Sequence, residues 1–206
     1  MRSTIVLYLD SNTENPVSSI VSLLENTVKP NIFCIITTDQ VSDKTNEIMK
    51  SFLKSCCDNG DYKEEFSQDY TISTKIKDNF KIVYIVLKNY SGSDISKFAF
   101  EYLENDTDIY ITANSNNLYQ DKFIEKHIKK HDNPFVGAVY SDYIRNGKYT
   151  YLSSIHPLIG HQIEIGDVSF NSSITKDLKI GNIAEIINIA YSKSLVKHIP
   201  EAIFLT

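Results

Sequence analysis

Five apolar runs of strand length recur along the first 140 residues, each separated from the next by a stretch with helical spacing. They are Thr4–Leu9, Ile32–Ile36, Lys81–Leu87, Asp108–Thr112 and Phe135–Tyr140. Strands with one wet face alternate apolar and polar residues, whereas strands covered on both faces read as continuous apolar runs, as these do. Between the first two, Asn15-Pro16 reads as an N-cap followed by proline at the first helical position. Val17, Ile20, Val21 and Leu24 then fall on one stripe, which predicts a helix over 16–26. Ser42 caps a second helix carrying Ile48, Met49, Phe52 and Leu53. Ser93 caps a third with Ile95, Phe98, Ala99 and Tyr102, and Asp121 a fourth with Phe123, Ile124, His127 and Ile128. Strands alternating with helices in this way predict an α/β fold, a mostly parallel central sheet with helices on both faces.

After residue 143 the pattern changes. Asn146-Gly147 between Val139–Ile144 and Tyr149–Leu152 is a hairpin signal, because both central residues of a tight hairpin turn need positive φ. Asp167–Ile174 reads as a strand, Asn182–Ser192 as a helix, and Leu195–Ile199 as a short strand ending at Pro200, so the C-terminal third is expected to be antiparallel. Residues 55–79 are polar and irregular and read as a surface insertion. No repeat or linker interrupts the chain. Residues 1–206 are therefore expected to form a single domain, a length at which about 70% of the unfolded surface is buried without disulfide staples.

The charge balance bears on partners. With 21 Lys and Arg against 26 Asp and Glu the net charge is −5, which argues against general nucleic-acid binding. Cys34 sits in an apolar run and reads as core. Cys56 and Cys57 are adjacent, with neither a C-x-x-C spacing nor a nearby histidine, which fits a reducing compartment better than a metal site. No 18-residue apolar stretch occurs, so no membrane partner is expected and the reading is a soluble, cytoplasmic protein. Few glycines, no tryptophan and abundant Ile, Lys and Asn suggest an AT-rich genome.

Four stretches carry a resemblance to a known family. Ser22-Leu23-Leu24-Glu25-Asn26-Thr27-Val28-Lys29-Pro30 resembles the helix and turn of family-2 glycosyltransferases with the GT-A fold. In that family a strand follows, ending in Asp-Asp-Gly-Ser-x-Asp-x-Thr. Here it ends in Thr37-Thr38-Asp39-Gln40-Val41-Ser42-Asp43-Lys44-Thr45, which keeps Asp39, Asp43 and Thr45 and lacks the first Asp and the Gly. Val139-Tyr140-Ser141-Asp142-Tyr143 resembles the strand after the family's metal motif. His198-Ile199-Pro200-Glu201-Ala202-Ile203-Phe204 is similar to its His-Ile-Pro-Glu-x-Leu-Tyr ending. The resemblance covers about 1–204 and implies a single GT-A-like domain that moves a sugar from a nucleotide-sugar donor to an acceptor hydroxyl.

That reaction has two chemical requirements. The leaving diphosphate gathers negative charge, which a divalent cation or fixed positive groups must stabilise. An inverting transfer also needs a carboxylate base beside the acceptor hydroxyl. In a parallel sheet the ligand crevice lies outside the carboxyl ends of the strands, here the loops at 37–43 and 112–118. The family holds Mn²⁺ or Mg²⁺ with an Asp-x-Asp at the end of its fourth strand, and here Thr112-Ala113-Asn114 followed by Ser115-Asn116-Asn117 stands in that place. The family's Glu-Asp base pair falls near Asn182-Ile183, so both acidic devices are degraded.

Carried over residue by residue, the resemblance makes Asp39, Asp43, Asn114 and Asn116 the nucleotide-sugar contacts. Glu185 or Asp167 is left as the base, and no metal ligand is assigned. Two functions follow. In the first, the chain is a degenerate glycosyltransferase acting as a non-catalytic structural or interaction component, for instance in a viral (phage) assembly with protein partners. In the second, it is an active transferase with an altered metal and base arrangement, using a nucleotide-sugar donor and a divalent cation. Whether it is an enzyme stays open at this point, and the missing carboxylates favour the first reading.

Other constellations read more simply. His156, His161, Glu164 and Asp167 fit no single helix or strand face as a metal site. Lys126, His127, Lys129, Lys130 and His131 form a positive cluster at a helix C-terminus, where they complement the dipole. Ser93 and Asp94 begin a helix whose N-terminus could meet a phosphate. Tyr8, Tyr119 and Tyr143 lie near strand ends, within reach of a ligand to stack on.

Overall fold

The computed structural model describes residues 1–9, 13, 16–56, 60–90, 94–150, 167–179 and 182–206. In chain order the elements are β1 (Ser3–Tyr8), α1 (Val17–Leu24), β2 (Ile32–Thr38), α2 (Asp43–Ser55), β3 (Asp61–Phe66), β4 (Tyr70–Lys77), β5 (Phe80–Leu87), α3 (Asp94–Tyr102), β6 (Ile109–Asn114), β7 (Leu118–Tyr119), α4 (Phe123–His131), β8 (Val136–Arg145), β9 (Lys148–Thr150), β10 (Val168–Asn171), α5 (Ile183–Lys193) and β11 (Leu195–Leu205), with 3-10 turns at Glu104–Asp106 and Ser172–Asp177.

The strands make one sheet in the order β3-β4-β5-β2-β1-β6-β10-β8-β11-β7, with β9 paired to β8. Its centre matches expectation: β5, β2, β1 and β6 are parallel neighbours, and β11 runs parallel to β8. The sheet as a whole is mixed, which corrects the mostly parallel reading. β10 lies antiparallel between β6 and β8, and β3, β4 and β5 form an antiparallel meander. Turn length explains the meander, since only antiparallel strands can be joined by two or three residues. Asp78-Asn79 joins β4 to β5, with Asp78 at φ 53°.

That meander also corrects the reading of 55–79 as irregular. The segment holds the end of α2 and two strands that extend the sheet by a hairpin. Other boundaries move for local reasons. Only Val168–Asn171 of the expected 167–174 strand is extended, and a 3-10 turn follows it. β11 continues past Pro200, with register shifts between Ile199 and Ala202 that fit a residue unable to donate to the ladder. Lys122, not Asp121, precedes α4, and the Asp121 carbonyl instead accepts from Thr27 N at 2.8 Å. Ser42 caps α2 as expected, accepting from Thr45 N at 3.2 Å. Asn146 and Gly147 turn with φ 51° and 72° between Arg145 and Lys148, as the sequence signal requires. Asn15 and Ser93 lie outside the described residues.

Helices α3 and α5 cover one face of the sheet and α1, α2 and α4 the other. On the first face Phe100 of α3 packs on Tyr110 and Phe170, with ring centroids 5.0 and 5.1 Å apart. On the second, Tyr84 donates to Asn46 of α2 at 2.5 Å. Cys34 is wholly buried between these layers, and burial pushes its thiol up to about 12, so it is core as expected.

Gly137 is where the end of α5 comes close against the sheet. A methyl group on it would stand 1.8 Å from Ser194 Oγ and 2.7 Å from Ser194 Cβ, at the end of α5. Gly137→Ala is expected to lower stability by about 1–3 kcal/mol, the usual cost of overpacking. Ser194→Gly should recover most of the loss. Urea unfolding of the three variants checks this, and an unchanged midpoint for Gly137→Ala alone would refute the close approach.

Candidate functional site

The carboxyl ends of β1 and β6 come together at the crevice that the topology predicts for a ligand. Tyr8 and Asn114 are level neighbours there. With Thr112, Ser96, Asn182 and Ile183 they line a cavity of about 480 Å³ between the sheet and the starts of α3 and α5. Among the described residues the lining is amide, hydroxyl and apolar and contains no carboxylate.

The loop after β6 is held by a dense set of polar contacts. Asn114 Oδ1 accepts from Asn116 N at 2.9 Å, a turn that asparagine side chains favour. Thr13 Oγ1 is 2.8 Å from Ser115 Oγ and donates to Asn116 Oδ1 at 3.2 Å. Ser19 Oγ of α1 donates to the Asn114 carbonyl at 3.2 Å. Below the loop lies Asp167, just before β10. Its Oδ2 accepts from Tyr119 Oη at 2.6 Å and from Asn117 Nδ2 at 3.0 Å, and Tyr119 Oη accepts from Asn114 N at 2.7 Å. Burial drives the Asp167 carboxyl up to about 7, against the pull of its two donors, so near neutrality it is only partly ionised. The Tyr119 phenol is held well above its ordinary range, first by burial and then by Asp167.

Five of the six sequence-derived site residues separate into two groups, and Glu185 stands apart from both. Asn114, Asn116 and Asp167 are brought together around the β6–β7 loop. Asp39 and Asp43 are exposed on the turn after β2 and at the start of α2, and neither lines the cavity. The Asp39 amide donates to the Leu87 carbonyl at 2.9 Å. Glu185 stands in the first turn of α5, where its Oε1 accepts from Lys179 N at 2.8 Å while its own amide donates to Asn182 Oδ1 at 2.8 Å. Its carboxylate is thus engaged in shaping the start of the helix. Of the tyrosines, Tyr8 lines the cavity, but Tyr119 and Tyr143 are buried against Phe123 and Phe204 and offer no stacking surface. His156, His161 and Glu164 lie outside the described residues.

Two arrangements escaped the sequence reading. Asp142 of β8 is fully buried; its Oδ1 is 2.7 Å from His198 Nε2 and its Oδ2 accepts from Tyr149 Oη at 2.8 Å. The His198 ring stacks on Tyr140 at 4.9 Å. The signal was the pair of family-like stretches holding Asp142 and His198, which nothing in sequence placed side by side. The second is the cluster at 126–131, which is not uniformly a solvated basic face. His127 and His131 point inward and share Ser169 Oγ, with His127 Nδ1 at 2.8 Å and His131 Nε2 at 2.9 Å. Burial lowers His127 to about 3 and His131 to about 4, so both are neutral. Lys126 and Lys129 face out and pair with Glu201 and Glu125.

No protein-family model matches the sequence, and no curated protein matches it. Solved structures do match. The crystal structure of S. aureus TarS 1-349 superimposes over the whole of this chain with a TM-score of 0.65 at 10% identity, and its complexes with UDP-GlcNAc and with UDP each give 0.66. TarS is a glycosyltransferase. This chain has a glycosyltransferase-like fold. At 10% identity the likeness is one of fold alone, and the chain spans 60% of that TarS fragment and 36% of the longer TarS structure.

A divalent cation, which the resemblance implies, does not suit the donors that the described residues place at the end of β6. Hard cations want charged oxygens. The end of β6 offers amides and hydroxyls. The neighbouring Asp167 is buried, partly protonated and occupied by Tyr119 and Asn117. Among the described residues no group of three His, Cys, Asp or Glu is placed to hold a metal ion, and no helix is long and apolar enough to cross a membrane.

Proposed function

We propose that this chain is a glycosyltransferase-fold protein that has given up metal-dependent sugar transfer and serves as a non-catalytic structural or interaction component. The observation that carries this reading is the state of Asp167. Its carboxylate lies under the loop that follows β6 and is turned into a structural clamp on the β6–β7 loop. Glu185, the other candidate base, is tied to Lys179 N. Among the described residues, a crevice lined by amides and hydroxyls retains hydrogen-bonding groups but supplies neither the charge for the leaving group nor a base for the acceptor.

One observation favours a second reading, in which a nucleotide-sugar donor still binds. The 480 Å³ cavity beside Tyr8 and Asn114 survives, and the TarS structures that share the fold include complexes with UDP-GlcNAc and UDP. In that reading Asp39 and Asp43 with Asn114 and Asn116 contact the donor, and Asp167 or Glu185 acts as base. Incubation with UDP-, GDP- and dTDP-sugars, with and without Mn²⁺, distinguishes the two. No hydrolysis or transfer above the buffer blank is expected. Turnover that disappears in Asp39→Ala would establish an active transferase and end the non-catalytic reading.

A further inference from the structure

The outermost strand of the sheet is the least explained part of the molecule. β3 stands at the end of the strand order and pairs with β4 alone among the described residues. All six of its residues, Asp61-Tyr62-Lys63-Glu64-Glu65-Phe66, are exposed, and Phe66 is 71% exposed. It contains neither proline nor glycine and its register with β4 is unbroken. Such an edge carries a row of unpaired backbone donors and acceptors, which proteins ordinarily blunt with charges, bulges or prolines. Here only charges are present, and their order is informative.

The faces of β3 follow from its register. Lys63 and Glu65 lie beside Thr74 and Ile72, on the face with Tyr102, while Tyr62, Glu64 and Phe66 lie beside Lys75, Ser73 and Thr71 on the opposite face. A second copy adding its own β3 antiparallel must be related by a two-fold axis perpendicular to the sheet. That axis keeps each face continuous, so only residues of like parity can oppose one another. Centred on Lys63, the pairing sets Asp61 against Glu65 and Lys63 against itself, which repels. Centred on Glu64, it sets Lys63 against Glu65 twice on one face and Tyr62 against Phe66 twice on the other. The one unfavourable contact is Glu64 with its own copy, and each Glu64 already accepts from Tyr62 Oη at 2.6 Å and Ser73 Oγ at 3.4 Å.

We propose that β3 is a self-association edge, joining two copies of this chain into one continuous sheet through antiparallel β3–β3 pairing centred on Glu64. Opposite charges and aromatic pairs directly across a sheet are the contacts that stabilise such pairing. Six residues a side make a small interface, so the dimer is weak, with a dissociation constant on the order of 10–100 μM. The inference is independent of what the crevice binds.

Sedimentation equilibrium from about 1 μM to 1 mM tests it. The wild-type chain is expected to dimerise within that range. Lys63→Glu and Glu65→Lys, each replacing two attractive contacts by two repulsive ones, should each raise the dissociation constant about tenfold or more. An equimolar mixture of the two variants should recover the dimer, because every Lys–Glu contact is restored between unlike partners. Glu64→Gln should tighten it roughly threefold. Circular dichroism confirms that the exposed substitutions leave the fold intact. A wild type that stays monomeric at 1 mM overturns the proposal. So does a dimer that Lys63→Glu leaves unchanged, or a variant mixture that does not regain it.

Discussion

Asp167→Asn is expected to make this protein progressively more stable than the wild type as the pH rises from about 4 to 7. The cause is the raised carboxyl. Asp167 titrates near 3.8 when the chain is unfolded and near 7 when it is folded, because burial disfavours its charge. Between those values the folded state holds a proton that the unfolded state has released. Stability from this group is therefore fully present below pH 3.8 and is lost as pH rises through 7. A shift of that size corresponds to about 4 kcal/mol, read as an order of magnitude. Asparagine keeps an oxygen where Oδ2 accepts from Tyr119 and Asn117 but carries no titrating proton. Whatever constant the amide adds, the variant-minus-wild-type difference should change by a few kcal/mol across the window. Urea unfolding of both proteins at pH 4, 5.5, 7 and 8 measures it. A difference that stays flat with pH would mean that the Asp167 carboxyl titrates alike in the folded and unfolded protein and is not perturbed by burial.

The parts of this fold that were readable in sequence are those where local pattern and tertiary burial agree. β1, β2, β5, β6 and β8 are apolar because helices cover both their faces, and Ser42 announces its helix by capping it. β3 and β4 were missed because burial does not mark them as a pair: every residue of Asp61–Phe66 is exposed, so no apolar period exists to be read. What orders β3 is the ladder offered by β4, a neighbour and not a property of its own composition. β7, of two residues, exists only as a partner for Phe204 and Leu205 of β11. The antiparallel insertion of β10 between β6 and β8 is likewise a fact of topology. It brings Asp167 to Tyr119, 48 positions away, and no spacing in the chain foretells that contact.

The site was legible to the same degree. The loss of carboxylates at the end of β6 could be seen in Asn114, Ser115 and Asn116 alone. That Asp167 fills the gap structurally, and that Asp39 and Asp43 stand apart from the cavity, required the register of the strands. His127 and His131 show the opposite failure. They sit four residues apart and share a stripe with Phe123 and Ile124, which is the signature of an inward face. Their lysine neighbours made the segment look like a basic surface.

Those two imidazoles set the acid limit of the protein. Each is depressed by burial, His127 from 6.5 to about 3 and His131 from 6.5 to about 4. Lowered folded values make the contribution present above pH 6.5 and lost as pH falls toward 4 and 3, since the unfolded chain takes up protons that the folded one refuses. Around them lie Ser169 and Asn171 of β10, the charged residues Glu125, Lys126, Lys129, Lys130 and Asp132 of their own helix and its end, and Glu201 of β11 paired to Lys126. No carboxylate is seen contacting either ring among the described residues; at His131 hydrogen bonds with Val136, Asn171 and Ser169 and the charge of Asp132 favour the imidazolium, but burial outweighs them. The shifts correspond to roughly 5 and 3 kcal/mol, comparable to the whole stability of an ordinary domain. Between about pH 4 and 6.5 the unfolded chain binds two protons more at these histidines and one fewer at Asp167. The three groups together make stability fall by about 1.4 kcal/mol for each pH unit of acidification. Asp167→Asn removes the opposing proton and should steepen that slope to about 2.7 kcal/mol per unit. His127→Asn with His131→Gln places an amide near each nitrogen that meets Ser169 and should remove the histidine part of the slope, at some cost in stability at pH 7.5 from the smaller side chains. Surface carboxylates are common to all three proteins and cancel in the comparison. Equal slopes for the wild type and the double histidine variant would show that the imidazoles open to water and charge before the protein unfolds.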